Sequence, residues 1–263
     1  PSQMQMATPL TVGGAPARTG DVMKQAMSIL NLQPAVKVQQ IRRLRDAFSC
    51  SFNNMYVVKD ASGRDVFFVQ EDSTCIEKNC CSGECKAWRM NVNLLGPQGY
   101  VQGQENQGTP FMHLERPFTC TFCCLNRPEV FITELPSNTQ LGTLTDPCAC
   151  CKLNTTISDP GSMNPSLKIE APICQPGIFC PWPCCDCKVD FPVFDANSNA
   201  QVASLTKVWM MGDVCPLCFK EWSTFDLSFD SRASLTPLMK MHLMSTALFV
   251  QMAWFDKRNQ NNN

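Results

Sequence analysis

The eighteen cysteines of this chain lie mostly in tight groups, with Cys50 alone. Cys80, Cys81 and Cys85 form one group, and Cys148, Cys150 and Cys151 another. Cys184, Cys185 and Cys187 form a third, and Cys215 pairs with Cys218 across two residues. Each resembles half of a zinc site, and two halves brought together would supply four thiolates at ~2.3 Å. The spacing lacks the regular four-ligand pattern of a single finger, so packed thiols, disulfides and thioester acylation stand beside zinc. Acylation suits Cys120, Cys123 and Cys124, because Phe118, Phe122 and Leu125 beside them already favour a lipid surface. No redox motif is expected at Cys215 and Cys218, because nothing places that pair before a helix in a βαβ unit.

Oxygen ligands are sparser. Glu221, Asp226, Ser228 and Asp230 are the candidates for calcium, which takes roughly six to eight oxygens, so they would supply part of a shell. There are only two histidines, His113 and His242. His113 lies in a strand-like run and is expected to be structural. A Gly-rich phosphate loop, H-E-x-x-H and G-x-S-x-G are all missing from the sequence. The net charge of −1 gives no bulk attraction to nucleic acid, and none is expected as a partner. No secretory signal is visible at the polar, Pro/Gly-containing start, so a reducing compartment is expected.

The element that must organise these groups is Leu235 to Phe255, LTPLMKMHLMSTALFVQMAWF. Its apolar residues cover every side of a 3.6-residue period, which predicts a helix enclosed by protein or by lipid. Ser234 is a plausible N-cap, and Pro237 suits the first turn. Lys240 and His242 near its start are expected to reach solvent.

Ahead of it the chain changes period twice. Residues 1–18 are Pro/Gly/Thr-rich and read as a disordered tail. Residues 19–48 read as an amphipathic helical segment: a short helix over Asp21 to Leu32, a break at Pro34, then a basic helix over Ala35 to Phe48. From Asn53 the period becomes two. MYVVKD and RDVFFVQED flank a turn and predict a hairpin. Further strands are predicted at 86–94, 111–115, 129–135, 140–145, 152–158, 166–170, 187–194, 201–208, 215–222 and 224–229. Short strands at hairpin spacing argue for an antiparallel meander.

Such a sheet has one apolar face to cover and two edges to protect. An all-apolar helix needs a sheath. Closing roughly twelve strands around the helix satisfies both needs. The expected fold is therefore mainly β: an antiparallel closed barrel around a buried hydrophobic C-terminal helix, with a short N-terminal helical segment. Residues 49–256 form that barrel domain, and 257–263 a polar tail.

Four stretches then resemble the phospholipid scramblase family. They are FNNMYVVKDASGRDVFFVQEDSTCIEKNCC (52–81), HLERPFTCTFCCLNR (113–127), the region from CPWPCCDCKVDFPVFD to TKVW (180–209), and the closing hydrophobic helix. The resemblance implies the tubby-like fold, a barrel of about twelve strands around a C-terminal helix. It also implies a lipid-associated protein at the cytoplasmic face of a membrane, with calcium-stimulated, ATP-independent movement of phospholipids between leaflets. The family's palmitoylated cluster corresponds by position to Cys120, Cys123 and Cys124. Its acidic calcium segment corresponds to KEWSTFDLSFD (220–230). Glu221 matches a family carboxylate, but Ser223 stands where a second is expected and Asp226 near the family glycine, a departure that weakens the carry-over of calcium stimulation. The expected partners are a phospholipid surface and other proteins. The alternative function is a membrane-tethered or soluble interaction module, with zinc as a stabilising ion.

Overall fold

The computed structural model describes residues 19–41, 53–74, 86–104, 106–120, 125–149, 152–179, 188–210 and 221–255. Twelve strands run in chain order: β1 (Ala35–Ile41), β2 (Met55–Lys59), β3 (Asp65–Glu71), β4 (Trp88–Leu94), β5 (Thr109–Arg116) and β6 (Glu129–Glu134), then β7 (Gln140–Thr145), β8 (Lys152–Ser158), β9 (Pro165–Pro172), β10 (Lys188–Asp195), β11 (Gln201–Val208) and β12 (Glu221–Phe229). Helix α1 (Thr19–Leu32) precedes them, and a single helical turn, α2 (Pro176–Phe179), sits between β9 and β10. Helix α3 (Pro237–Val250) follows β12 and runs into a π-helical turn at Gln251–Phe255.

Every neighbouring pair is antiparallel, and β1 closes the barrel between β2 and β12. In the register, Val38 lies opposite both Val58 and Phe225. Closure leaves no edge strand. Alternation does the rest: Val36, Val38, Phe67, Val69, Met90, Val92, Ile132, Leu144, Leu205 and Phe225 are buried and join one core with the helix.

Helix α3 fills the lumen. Thr236, not Ser234, is its N-cap: the Thr236 hydroxyl accepts from the Met239 N–H, and Pro237 takes the first turn. Every residue from Lys240 to Val250 is buried. Two hydroxyls inside the barrel are satisfied within the helix, Ser245 donating to Met241 O at 3.0 Å and Thr246 to His242 O at 2.8 Å. Among the described residues no helix is long and apolar enough to cross a membrane.

Three expectations need correcting. The first half of the helix expected over Ala35 to Phe48 is a strand: Ala35–Ile41 closes the barrel, which therefore begins at 35 rather than 49. Its alternation of buried Val36, Val38 and Gln40 with Lys37 and Gln39 is a strand signal, and both partner edges compete for its backbone. Residues 42–48 lie outside the described residues. The two strands expected at 215–222 and 224–229 are one from Glu221 onward, with 215–220 outside the described residues. Lys240 and His242 do not reach solvent, for reasons given below.

An antiparallel meander sends its connections alternately to two poles. At one pole lie the turns after β2, β4, β6, β8 and β10, the chain from β12 to α3, and α1. Buried Val22, Met23, Ala26 and Leu30 of α1 cover this end of the core. At the other pole lie the connections after β1, β3, β5, β7, β9 and β11, and the end of the π turn. All eighteen cysteines belong to the second set of connections, and none to the first.

Candidate functional site

The cysteine-bearing pole is anchored by specific contacts. In the β5–β6 connection, Arg127 Nε donates to Asp146 O at 2.9 Å, and its Nη2 pairs with Asp146 Oδ2 at 2.6 Å. This fork ties the connection to the start of the β7–β8 loop. Asn126 takes φ +50 and donates to Cys120 O at 3.4 Å. Cys120 is exposed, and so are Phe118 and Leu125. Cys123 and Cys124 lie outside the described residues. Of the candidate zinc thiolates, only Cys148 is described, and it is disulfide-bonded, which removes it as a thiolate ligand. Cys80, Cys81, Cys85, Cys150, Cys151, Cys184, Cys185, Cys187, Cys215 and Cys218 lie outside the described residues.

In the β9–β10 connection, Gln175 clamps the turn. Its Nε2 donates to Pro172 O and Asp190 O, at 3.1 and 2.9 Å, and its Oε1 accepts the Asp190 N–H at 2.8 Å. Gly177 lets α2 press on β10, since a Cβ there would come within 2.4 Å of Lys188 O. Trp209 Nε1 donates to Gly177 O at 2.8 Å. Phe179 and Ile173 nevertheless stay exposed on this fixed turn, beside exposed Cys174.

The three calcium candidates with described side chains, Asp226, Ser228 and Asp230, do not converge. Asp226, Ser228 and Asp230 share one outward row, with roughly 7 Å between successive positions. Asp226 faces Lys37 on β1 at 3.4 Å, and the Ser228 hydroxyl is directed at Ser204 O at 3.5 Å. Asp230 accepts from the Arg232 N–H at 2.9 Å and pairs with its guanidinium at 3.0 Å. Hydrogen bonds from Arg232 hold the Asp230 carboxyl below the usual range. Glu221 opens β12 opposite Ile41 of β1, on the far side of a register shift from Thr224 and Asp226. Ser223 faces the lumen, where its hydroxyl donates to Gln251 Oε1 at 2.8 Å. Among the described residues no three acidic, histidine or cysteine side chains gather as a metal site.

The polar groups inside the barrel have partners far away in sequence. Lys240 Nζ donates to Leu30 O, Asn31 O and Gln33 O, at 3.1, 3.0 and 2.7 Å. It thus caps the C-terminus of α1, where unpaired carbonyls carry the negative end of the helix dipole. The ammonium also lies 4.8 Å from the Phe229 ring centroid. Burial lowers its pKa from the ordinary lysine value. His242 Nε2 lies 2.9 Å from Leu141 O, so Nε2 carries the proton and Nδ1 is a buried acceptor without a hydrogen bond. Burial pushes its pKa down, against the opposing pull of the Leu141 carbonyl and Asp159. His113 has the structural role expected of it, Nδ1 meeting Asn91 Oδ1 at 2.7 Å, and burial lowers its pKa too.

Lys207 is the residue that sequence reasoning missed. It is fully buried, with Nζ 4.5, 5.2 and 5.4 Å from the ring centroids of Trp209, Phe225 and Phe255. Strand alternation was the available signal, because Ala203, Leu205 and Lys207 share one face of β11. The cage continues into Trp254, which stacks on Phe191 at 5.7 Å.

Comparison with known proteins bears on this arrangement. The sequence model of the Scramblase family matches residues 16–257, which takes in α1, all twelve strands and α3. The chain is 26% identical over 222 residues to phospholipid scramblase 2 of Bos taurus, covering 83% of this chain and 67% of that one. It is 27% identical over 175 residues to phospholipid scramblase 2 of Homo sapiens, covering 65% and 51%. It is 24% identical over 223 residues to phospholipid scramblase 1 of Mus musculus, covering 83% and 60%. The chain therefore spans between half and two thirds of the length of these relatives. No solved structure matches it. A barrel matched from its capping helix to its central helix places this chain in the Scramblase family.

Proposed function

We propose that this protein promotes ATP-independent, bidirectional movement of phospholipids between bilayer leaflets, held at the cytoplasmic face of a membrane through acylated Cys120, Cys123 and Cys124. The single observation that carries this reading is the family match across the whole barrel, with relatives named phospholipid scramblase. No covalent step is required. The physical task is to lower the cost of carrying a polar headgroup through hydrocarbon. Because Asp226 and Asp230 are already engaged by Lys37 and Arg232, the activity is read as indifferent to calcium. The test uses liposomes with label in both leaflets and a membrane-impermeant quencher. Loss of more than half of the fluorescence, equal with calcium or chelator, supports the reading. Loss limited to the outer leaflet in both conditions overturns it.

A second reading is favoured by one specific feature. The helix is sheathed by strands, which leaves none of its length facing lipid in this fold. On that reading the chain is a membrane-tethered interaction module, with zinc as a stabilising ion in the cysteine-rich connections. Elemental analysis decides the zinc component: one zinc or more per chain supports it, and a metal-free chain of unchanged stability removes it.

A further inference from the structure

The two poles of the barrel differ in what they expose. At the cysteine pole, Phe118, Leu125 and Phe179 are 59, 65 and 69% exposed, and Ile173 is 38% exposed. Two lie in the β5–β6 connection and two in the β9–β10 connection, at the same pole and four strands apart around the barrel. Described residues of each connection are anchored, the first at Arg127 by its fork with Asp146 and the second by the Gln175 clamp and the Gly177 contact. The anchoring contacts do not involve the aromatic rings, and Phe118 and Phe179 keep more than half of their surface in water, an apolar exposure that costs free energy.

The α1 pole is different. Among the described residues its exposed large apolar side chains are Leu32, Val101 and Met163, each in a separate part of the chain, with no aromatic among them. Scattered single residues of that kind are ordinary surface. Aromatic side chains left more than half exposed on two anchored connections of one pole are not.

We propose that the cysteine pole is the face that meets the bilayer, with Phe118 and Leu125 as one wedge and Ile173 and Phe179 as a second, each entering the boundary between headgroups and acyl chains. This rests on the membrane reading above and deepens it, because it gives the barrel an orientation. The second wedge lies outside the cysteine group assigned to acylation, so attachment does not depend on acyl chains alone. Phe and Leu at the interface contribute through buried apolar area. Every cysteine of the chain falls in sequence within the connections of this set, so thiols that gain acyl chains would do so in the same stretches of chain as the wedges. The α1 pole then faces away, separated by the length of α3 and its π turn, roughly 28 Å at ~1.5 Å per residue.

The test uses the full chain produced without acylation and vesicles of phosphatidylcholine and phosphatidylserine. Amide hydrogen exchange is measured with and without vesicles. Slower exchange is expected at 117–120, 125–128 and 173–179, and unchanged exchange at 96–104 and 159–164. Flotation then compares the pairs Phe118→Ser with Leu125→Ser, and Ile173→Ser with Phe179→Ser, against the control pair Val101→Ser with Met163→Ser. Each rim pair should weaken partitioning at least fivefold and the four together at least twentyfold, with the control within twofold. Circular dichroism confirms that these exposed substitutions leave the fold intact. A control pair that matches the rim pairs, an unchanged footprint at both rim connections, or a wild-type chain that fails to float would each overturn the proposal. An unchanged footprint would instead assign the wedges to a protein partner. Lipid movement is assayed in the same vesicles. A chain that docks by this pole and moves no lipid leaves the proposal standing and removes the proposed activity.

Discussion

His242 is held between two demands. Its Nε2–H is committed to Leu141 O, and its Nδ1 has no donor to accept from. Charging the ring would place a second donor in the same closed space. Both histidines of the chain have pKa values lowered by burial. The unfolded chain takes up protons near pH 6.5, the ordinary histidine value, and the native state does not. The state that binds more protons gains as pH falls, so stability is lost as pH drops below about 6.5. Urea unfolding at pH 7.5 and 5.5 should show a lower midpoint at the acid value, and His242→Gln should shrink that difference. Equal pH dependence in the variant would place the proton elsewhere. Gly142 is the complement of this ring: a Cβ would lie 2.7 Å from His242 Nε2 and 2.9 Å from Ser158 O. Gly142→Ala should cost about 1–3 kcal/mol through overpacking, and less in a His242→Ala background.

At the scale of elements, the clip between α3 and α1 has the most to lose. Three carbonyls at the end of α1 converge on one ammonium. Lys240→Met keeps the stem and removes the donors, and should cost about 2–4 kcal/mol, read by urea unfolding. Proteolysis near 30–34 should rise in the same variant before the barrel itself opens. These contacts explain why parts of the fold were legible in the sequence and others were not. The apolar run of α3 and the alternating strands carry their own period, and the need for a sheath follows from them. Lys240 and His242 take partners 207–210 and 101 residues away, which no local pattern encodes. Strand β1 was obscured by the arginines that follow it, whose spacing completes an amphipathic helical stripe. Its strand character comes from the two edges waiting on either side. Phe118 and Leu125 stood out in the sequence beside a cysteine group, and both are exposed. Ile173 and Phe179 did not stand out, because their exposure depends on how Gln175 and Gly177 set the turn.

For the molecule as a whole, closure is the property on which the rest depends. Strand β1 satisfies the outer edges of β2 and β12 together. Removing residues 1–41 would leave two edges bare and one end of the core uncovered. Such a truncation should elute as aggregate in size-exclusion chromatography. Monomeric behaviour at normal stability would mean that β2 and β12 can join without β1. The separation of short polar turns from cysteine-rich connections also belongs to this scale, since chain direction assigns every second connection to the same pole.

The filling of the barrel is made after its wall. Strands β1 to β12 leave the ribosome with their inward rows of valine, leucine and phenylalanine facing an empty lumen, because α3 is translated last among these elements. Until that helix emerges, the nascent wall has nothing to condense on and is exposed to unwanted pairing. Native assembly is therefore obliged to be late, and a chaperone able to hold greasy, half-made sheets would raise the yield of this protein more than one that speeds the pairing of individual hairpins.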